Sequence, residues 1–355
     1  MTVFATRRPD PHVWHGRPVL VTGHTGFKGS WLALMLAKLG ARVHGLALDP
    51  PPGPAAFRLA GVEAVLASHR ICDIRNAPAL AAAVADIAPS AVLHLAAQAI
   101  VGASYRDPAG TFATNVSGTI NLLEALRGRT DCLAALVVTS DKVYRNDGRG
   151  VPFVEDDPLG GHDPYSASKA ACEIAVASWA ASFGDGLPRI ATARAGNVIG
   201  GGDFGEDRLI PDLVRADRAG VPLKIRRPDA TRPFQHVLDV LAGYLLFAED
   251  LIASADAPVA LNFGPSEPDI AVRDLLERYG AARGRPVPWE ALPGPSYGEA
   301  PRLALDASRA RGRLGWSPVL AGPATLAATA EWYEAWAQVG DLVAVSAAQV
   351  ARVLA

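Results

Sequence analysis

The chain has 355 residues, half of them hydrophobic and a fifth charged, so it can bury a large core and is not a disordered polymer. Thirty-four Lys and Arg against thirty-six Asp and Glu leave a formal net charge of −2; this balance points away from nucleic-acid and anionic-membrane partners and toward a small-molecule ligand. Cys72, Cys132 and Cys172 are odd in number, far apart and set among apolar residues, as expected of reduced buried thiols rather than disulfides or a zinc site, so no metal is expected.

Met1 to His15 carries Arg7, Arg8, His12 and two prolines, and lacks the apolar core of a secretory signal. No stretch approaches the roughly 20 apolar residues of a spanning helix, and a soluble, cytoplasmic protein is expected. From Pro18 the chain alternates. An apolar strand (Val19 to Val21) leads through a Gly-rich turn into a helix (Ser30 to Leu39), then past Gly40 into a second strand (Arg42 to Leu48), which makes a βαβ unit. Further segments keep the rhythm: strands at Val65 to Ile71, Ala91 to Leu95, Ala134 to Thr139 and Ile190 to Ala193, and helices at Ala79 to Ile87, Thr111 to Leu126 and Pro164 to Phe183. Such alternation implies a parallel sheet with helices on both faces.

After Gly196 the composition changes. Gly200 to Asp203, Asp207-Arg208, Arg226-Arg227-Pro228 and Arg232-Pro233 form Gly-, Pro- and Arg-rich loops between shorter elements. They are expected to build a smaller α/β cap whose guanidinium groups suit a phosphorylated ligand. Ala321 to Ala355 reads as helical, with Trp332, Tyr333 and Trp336 packing on the lobe beneath, and there is no internal repeat.

Gly23, Gly26 and Gly29 follow the first strand directly and open a helix. The glycines allow a tight turn and a close approach of backbone to a pyrophosphate, whose charge is favoured at a helix N-terminus. The spacing is Gly-x-x-Gly-x-x-Gly, without the Gly-Lys-Ser/Thr ending of a Walker loop. Asp49 closes the second strand about 20 residues on, where an acid binds the ribose hydroxyls of NAD and repels the extra phosphate of NADP. Its alternative is a loop carboxylate beside Pro50. Lys28 and His24 are candidates to partner a phosphate. Asp73, after the third strand, suits the adenine edge or a helix N-cap equally.

Ser140-Asp141-Lys142 ends one strand, and Tyr165 and Lys169 lie one helical turn apart on the next helix. Tyr and Lys at that spacing are most often a half-buried ring beside a snorkelling amine. Beside a dinucleotide turn, a hydroxyl, an acid and a second amine, they suit redox chemistry followed by elimination.

Taken together, these segments resemble the extended short-chain dehydrogenase/reductase superfamily and, within it, the CDP-glucose 4,6-dehydratases. The likeness covers nearly the whole chain and rests on Val21 to Trp31, His94 to Gln98, Ser104 to Pro108, Thr111 to Val116, Ser140 to Lys142, Asp157 to Ser166, Ala193 to Asp203, Asp207 to Asp212 and Arg232 to Val237. Asp-Lys after the Ser marks this subfamily, where the dTDP-glucose enzymes carry Asp-Glu. The resemblance implies a Rossmann-type doubly wound parallel sheet, mainly residues 1–196 and holding NAD, with a smaller C-terminal α/β lobe, mainly 197–355, that binds a nucleotide-diphosphate sugar. Segments of the second lobe return to the first.

It also implies roles for particular residues. Tyr165, assisted by Lys169, takes the proton of the sugar's 4-hydroxyl, Ser140 holds that oxygen, Asp141 protonates the departing 6-hydroxyl, and Lys142 is the base at carbon 5. A lysine serves as base only if desolvation or a neighbouring cation brings it down from about 10.4. NAD is expected to touch Gly23, Thr25, Gly26, Phe27, Lys28, Gly29, Asp49, Asp73, Ile74, Leu95, Ala96, Ala97, Gln98, Asn115, Tyr165 and Lys169. Ser104, Asn197, Arg208, Arg232, Gln235 and Arg302 are expected to hold the sugar nucleotide. Relatives pair through the helices from Thr111 and Tyr165, which implies a homodimer or homotetramer. The competing readings are a 4-epimerase or decarboxylase on the same scaffold and a non-catalytic NAD and sugar-nucleotide sensor, although a sensor has no need of the Ser140, Tyr165 and Lys169 set.

The chain departs from the subfamily pattern in four places. Gly102-Ala103 stands where an Arg-Glu pair is usual, Gly298 to Arg302 replaces a His-rich, Glu-Ala segment, Val143 replaces a Cys, and Arg145 to Val154 lacks the usual Trp-rich character. These changes leave the hydride and proton machinery whole but bear on which base and sugar are recognised.

Overall fold

The computed structural model describes residues 6–148, 150–265, 267–292 and 303–355; Arg302 and the departure at Gly298 to Pro301 lie outside them. Seven strands form one sheet: β1 (Pro18–Thr22), β2 (Arg42–Ala47), β3 (Ser68–Ile71), β4 (Ala91–His94), β5 (Ala134–Val138), β6 (Arg189–Ala195) and β7 (Ala260–Phe263). Their order is β7-β6-β5-β4-β1-β2-β3, and every neighbouring pair is parallel. The uninterrupted apolar runs follow from burial on both faces. In β1, Val19 and Val21 enter one core and Leu20 the other, while in β5 Leu136 and Val138 oppose Val137 in the same way.

Helices cover both faces. On one side α1 (Phe27–Lys38) buries Trp31, Leu32, Met35 and Leu36. On the other, α2 (Ala77–Ile87) and α3 (Gly118–Leu126) bury Leu80, Val84, Leu122 and Leu123. The long α4 (Pro164–Phe183) starts at Asp163, whose carboxylate accepts from the Ser166 amide at 3.0 Å, with Pro164 preset for the first turn. The apolar α5 (Val237–Ala253) lies beside α1 in the first core.

Several boundaries differ from the sequence expectation. The third strand is shorter than Val65 to Ile71, because Val62–Val65 forms a 3₁₀ turn entered by Gly61 in the left-handed region, and the strand begins only at Ser68. The helix expected over Thr111 to Leu126 starts at Pro108 and carries a π-turn at Ala113–Ser117. That extra residue per turn lets the Asn115 amide reach the Gln98 carbonyl and the Ser168 hydroxyl. The C-terminal segment is two helices, α6 (Pro323–Ala337) and α7 (Leu342–Leu354), parted at an exposed Val339 in the left-handed region and capped anew by Asp341. Trp332 and Tyr333 are buried, and Phe204 meets both rings and Trp336 edge-on. All three cysteines are free; Cys132 and Cys172 are buried and Cys72 half-buried.

Beyond β6 the chain makes short two-stranded pairs, Val198–Ile199 with Gln235–His236, Thr231–Arg232 with Ile270–Ala271, and Leu223–Ile225 with Trp289–Ala291, plus the helices Leu209–Ala219 and Val272–Ala282. They stand over the C-terminal ends of the main strands. Between them, β7 returns to the sheet edge beside β6. Among the described residues no helix is long and apolar enough to cross a membrane.

Candidate active site

A groove of about 630 Å³ opens over the C-terminal ends of the strands, where the strand order reverses between β4 and β1. In open α/β sheets this is where ligands bind. One end is built by the turn after β1. Gly23 has φ +75°, and a Cβ there would stand 2.7 Å from the Ala96 nitrogen. At Gly29 a Cβ would stand 2.2 Å from the Gly23 carbonyl oxygen, so this glycine lets α1 pack on its own strand. Gly26 caps α1 without any side-chain hydrogen bond, which leaves the first-turn amides of Phe27, Lys28 and Gly29 for an anion in the groove they line. This cradle fits the diphosphate of a dinucleotide.

Thr25, Asp73, Ile74, Leu95, Ala96 and Ala97 continue this wall. The two possibilities for Asp73 separate here. The N-cap of α2 is Asn76, which accepts from the Ala79 amide at 3.2 Å, whereas the Asp73 carboxylate accepts from Arg75, which holds its pKa low. Asp49 is exposed at the lip, one residue beyond the groove-lining Leu48, whose carbonyl accepts from the Thr25 hydroxyl at 2.9 Å. His24 faces away from the groove: its imidazole bonds His69 at 2.7 Å beneath Gly45, and burial holds it down at about 4.

Two other expected cofactor contacts are not on the groove wall. The Gln98 side-chain amide donates to Thr111 at 2.9 Å, and buried Asn115 bonds both Gln98 and Ser168, so the pair braces the β4 loop against α4.

Farther along the groove, Ser140, Asp141, Tyr165 and Lys169 are all buried and, with the half-buried Lys142, line it together. Ser140 ends β5 in extended backbone, accepts from the Lys142 amide at 3.2 Å and donates to Asp141 Oδ1 at 3.0 Å. Asp141 Oδ2 is buried without a partner. Burial raises the Asp141 pKa, and Lys142, the Ser140 hydrogen bond, Lys28 and Arg232 pull the other way. Burial likewise pushes the Tyr165 phenol up to about 12 against the hydrogen bond with Ser140. Lys169 donates to the Val138 carbonyl at 3.1 Å, and its own pKa is lowered by burial.

Of the residues expected to hold the sugar nucleotide, Asn197, Arg208 and Arg232 line the groove. Arg208 pairs with Asp203 at 2.9 Å. Ser104 and Gln235 do not line it. Ser104 is fully buried, donating to the Val101 carbonyl and accepting from the Tyr165 amide at 3.2 Å, so it seats the start of α4; Gln235 donates to the Phe263 carbonyl. Arg302 falls outside the described residues.

Sequence reasoning left unassigned several residues of the same walls. Lys224 adds a cation to the rim that no motif marked, beside Arg226 and Arg227 of the Arg-rich loop already expected to suit a phosphorylated ligand. Beneath the site lies an ion pair that no motif announced. Arg194 on β6 donates to Glu173, one turn beyond Lys169 on α4, at 2.7 Å, with both side chains at least nine-tenths buried. Arg194 also donates to the Tyr144 hydroxyl at 2.7 Å, and Tyr144 immediately follows the turn that carries Asp141 and Lys142.

A doubly wound fold with a dinucleotide turn and a Ser, Tyr and Lys set at one groove is that of a nicotinamide-dependent enzyme. The chain belongs to the NAD dependent epimerase/dehydratase family, whose pattern it matches over residues 19–262. It is 39% identical to the CDP-glucose 4,6-dehydratase of Salmonella typhimurium, over 96% of this chain and 97% of that protein. It is 30% identical to a dTDP-glucose 4,6-dehydratase of Xanthomonas campestris over 90% of this chain and 94% of that one. Among solved structures, the UDP-glucose 4-epimerase of Brucella ovis in complex with NAD superimposes with a TM-score of 0.76 at 27% identity, covering 89% of this chain and 98% of that one.

Proposed function

We propose that the protein is a nucleotide-sugar 4,6-dehydratase that converts CDP-glucose to CDP-4-keto-6-deoxyglucose and water. The observation that carries this reading is the position of Asp141 and Lys142 on the same wall as Ser140, Tyr165 and Lys169. An epimerase needs the latter three alone, whereas elimination needs an acid and a base besides.

NAD supplies the hydride acceptor and donor, and the Gly23 to Gly29 turn, Asp73, Ile74 and Leu95 to Ala97 would hold it. Ser140 orients the 4-hydroxyl toward Tyr165. Burial holds the phenol up at about 12, so positive charge is required for it to take that proton; Arg208 supplies part of it, and Lys169 lies one turn away on the same helix. Once carbon 4 is a ketone, the hydrogen on carbon 5 is acidic, and an amine of the groove removes it. Asp141, whose burial favours the protonated form, delivers a proton to the 6-hydroxyl, which leaves as water. The cofactor is regenerated.

Arg208 and Arg232 would neutralise the diphosphate, with Arg226 and Arg227 beside them. Residues 1–196 would chiefly serve NAD and 197–355 the sugar nucleotide. A homodimer or homotetramer through α3 and α4 is supported by Ile174, 61% exposed on α4, and a cytoplasmic location by the three free thiols.

Purified protein incubated with CDP-glucose should give a sugar nucleotide lighter by one water. A product of unchanged mass would select epimerisation, and no conversion of any nucleotide-linked glucose would refute the reading.

A further inference from the structure

The loop from Gly200 to Arg208 leads from the short strand Val198–Ile199 into the helix Leu209–Ala219, and three other elements pin it. The Gly201 carbonyl accepts from Trp31 Nε1 on α1 at 2.9 Å, and the buried Tyr333 hydroxyl on α6 donates to the Asp203 carbonyl. Arg215, on the helix that follows, donates to the Phe204 and Gly205 carbonyls, both at 3.0 Å. A Cβ at Gly201 would stand 2.0 Å from Trp332 Cγ, so the loop lies directly against α6.

This pinned loop carries a pair on the groove wall, buried Asp203 and half-buried Arg208. Both carboxylate oxygens accept from a single nitrogen, Arg208 Nη1, at 2.9 and 3.0 Å. Among the described residues Nε and Nη2 have no acceptor, so the forked edge of the guanidinium is left for a ligand in the groove. Asp203 Oδ1 also accepts from the Gly205 amide at 3.0 Å, which folds the backbone over the arginine; a Cβ at Gly205 would stand 3.3 Å from Arg208 Cδ and Cζ. One end of the side chain is thus tied to a fixed acid while a backbone turn confines its stem.

We propose that Asp203 is a positioning residue for the nucleotide sugar: it anchors one nitrogen of Arg208 so that the opposite edge of the guanidinium meets the diphosphate. The assignment rests on the nucleotide-sugar reading. An arginine loses rotamer freedom when it grips a ligand, and one already held in its bound direction has less to lose. The carboxylate also withdraws positive charge from the groove, an effect of opposite sign on a diphosphate. Prearrangement and neutralisation therefore predict opposite results when the charge of Asp203 is removed. A third role, in which the pair only starts the helix Leu209–Ala219, makes the effect of Asp203 independent of Arg208.

Calorimetry on the NAD-loaded enzyme reads the diphosphate contact directly, with CDP or whichever of CDP, dTDP, UDP and GDP the parent binds most tightly. Asp203→Asn keeps the shape and should weaken that ligand about tenfold, and Arg208→Met about 30-fold or more. The double variant should bind within about twofold of Arg208→Met alone, because the acid acts through the arginine. In turnover, Asp203→Asn should raise KM for the nucleotide sugar by about the same factor as the dissociation constant, with a smaller fall in kcat. Gly205→Ala, which crowds the same guanidinium and leaves both charges in place, should weaken the diphosphate about threefold or more.

Binding by Asp203→Asn equal to or tighter than the parent overturns the assignment and makes the acid a neutralising partner. A double variant whose loss is the product of the two single losses overturns it as well, since that is the mark of a merely structural pair. A parent that binds none of the four nucleoside diphosphates defeats the nucleotide-sugar reading itself, a different result from a parent and an Asp203→Asn variant that bind one equally.

Discussion

Replacing Arg194 by Met should destabilise the fold and loosen the reaction site together, because one buried guanidinium serves both. Arg194 Nη2 donates to Glu173 at 2.7 Å, while Nη1 donates to the Tyr144 hydroxyl at 2.7 Å and to the Glu155 carbonyl at 2.9 Å. The substitution leaves the Glu173 carboxylate buried with only the Thr139 and Thr192 hydroxyls as donors. Breaking a buried ion pair by removing one partner costs about 3–5 kcal/mol, and the two remaining hydroxyls place this case near the lower limit, about 3 kcal/mol.

Removing both charges, as Glu173→Leu with Arg194→Met, should cost at least about 2 kcal/mol less than the sum of the single changes, because neither member of the pair is then left buried without the other. Urea unfolding followed by tryptophan fluorescence measures all three. Because Tyr144 follows the Asp141 to Val143 turn, Arg194→Met should also lower kcat about tenfold with a smaller change in KM, the effect of a misplaced acid rather than of a lost substrate contact. A cost below about 1 kcal/mol for Arg194→Met, or strict additivity in the double variant, would refute the claim that this pair is an energetic unit.

Glycines of the cofactor turn should separate by function. Gly29→Ala sets a methyl 2.2 Å from the Gly23 carbonyl oxygen and 2.7 Å from His24 Cα, atoms that cannot yield without moving α1, and should cost about 1–3 kcal/mol of stability in a thermal melt without ligand. Gly26→Ala, whose methyl comes no nearer than 3.3 Å to the Gly23 carbonyl, should melt close to the parent yet bind NAD more weakly; equal loss of stability in both would be the contrary result. Glu249 gives a pH effect. Burial raises its carboxyl to about 7, against the hydrogen bonds from Asp10 and Trp14. Between the ordinary glutamate pKa of about 4.3 and 7 the folded state holds more protons than the unfolded, so this group withdraws stability as pH rises through that window. Glu249→Gln should therefore gain about 1–3 kcal/mol relative to the parent between about pH 4.5 and about pH 8, and a difference that stays flat would exclude the raised pKa.

Legibility in the sequence followed physical range. The doubly wound sheet was readable because strands buried on both faces spell continuous apolar runs and the helices keep a separate period, so β1, β2, β4, β5 and β6 appear in the sequence to within a residue or two of their ends. Reading was poorer where an edge strand is only half covered, as at Ser68 to Ile71. That Ser140 to Lys142 and Tyr165 to Lys169 share one groove was readable because each segment is local, carried by one strand end and one helix turn. By contrast, the roles of Asn115, Ser104 and Gln235 depend on which neighbour arrives from far along the chain, and a conspicuous polar residue in a motif proved to brace the scaffold as readily as to face the ligand. Glu173 and Arg194 were unreadable for the same reason, since nothing in either segment states that 21 residues of separation close to 2.7 Å.

The departure at Gly102 yields to the same argument. Read alone, a glycine where a charged pair is usual suggests an opened substrate site. In the fold, a Cβ at Gly102 would stand 2.7 Å from the Asp207 carboxylate, with Arg106 3.7 Å away, so the space is filled from another segment. Asp207 lines the groove and holds φ +56°, a conformation that costs a non-glycine residue of order 1 kcal/mol and persists only where its surroundings impose it. The place that a side chain at Gly102 would take is thus occupied by the Asp207 carboxylate. The two positions form one steric unit, so a side chain restored at 102 has to displace the Asp207 carboxylate before it can touch a ligand.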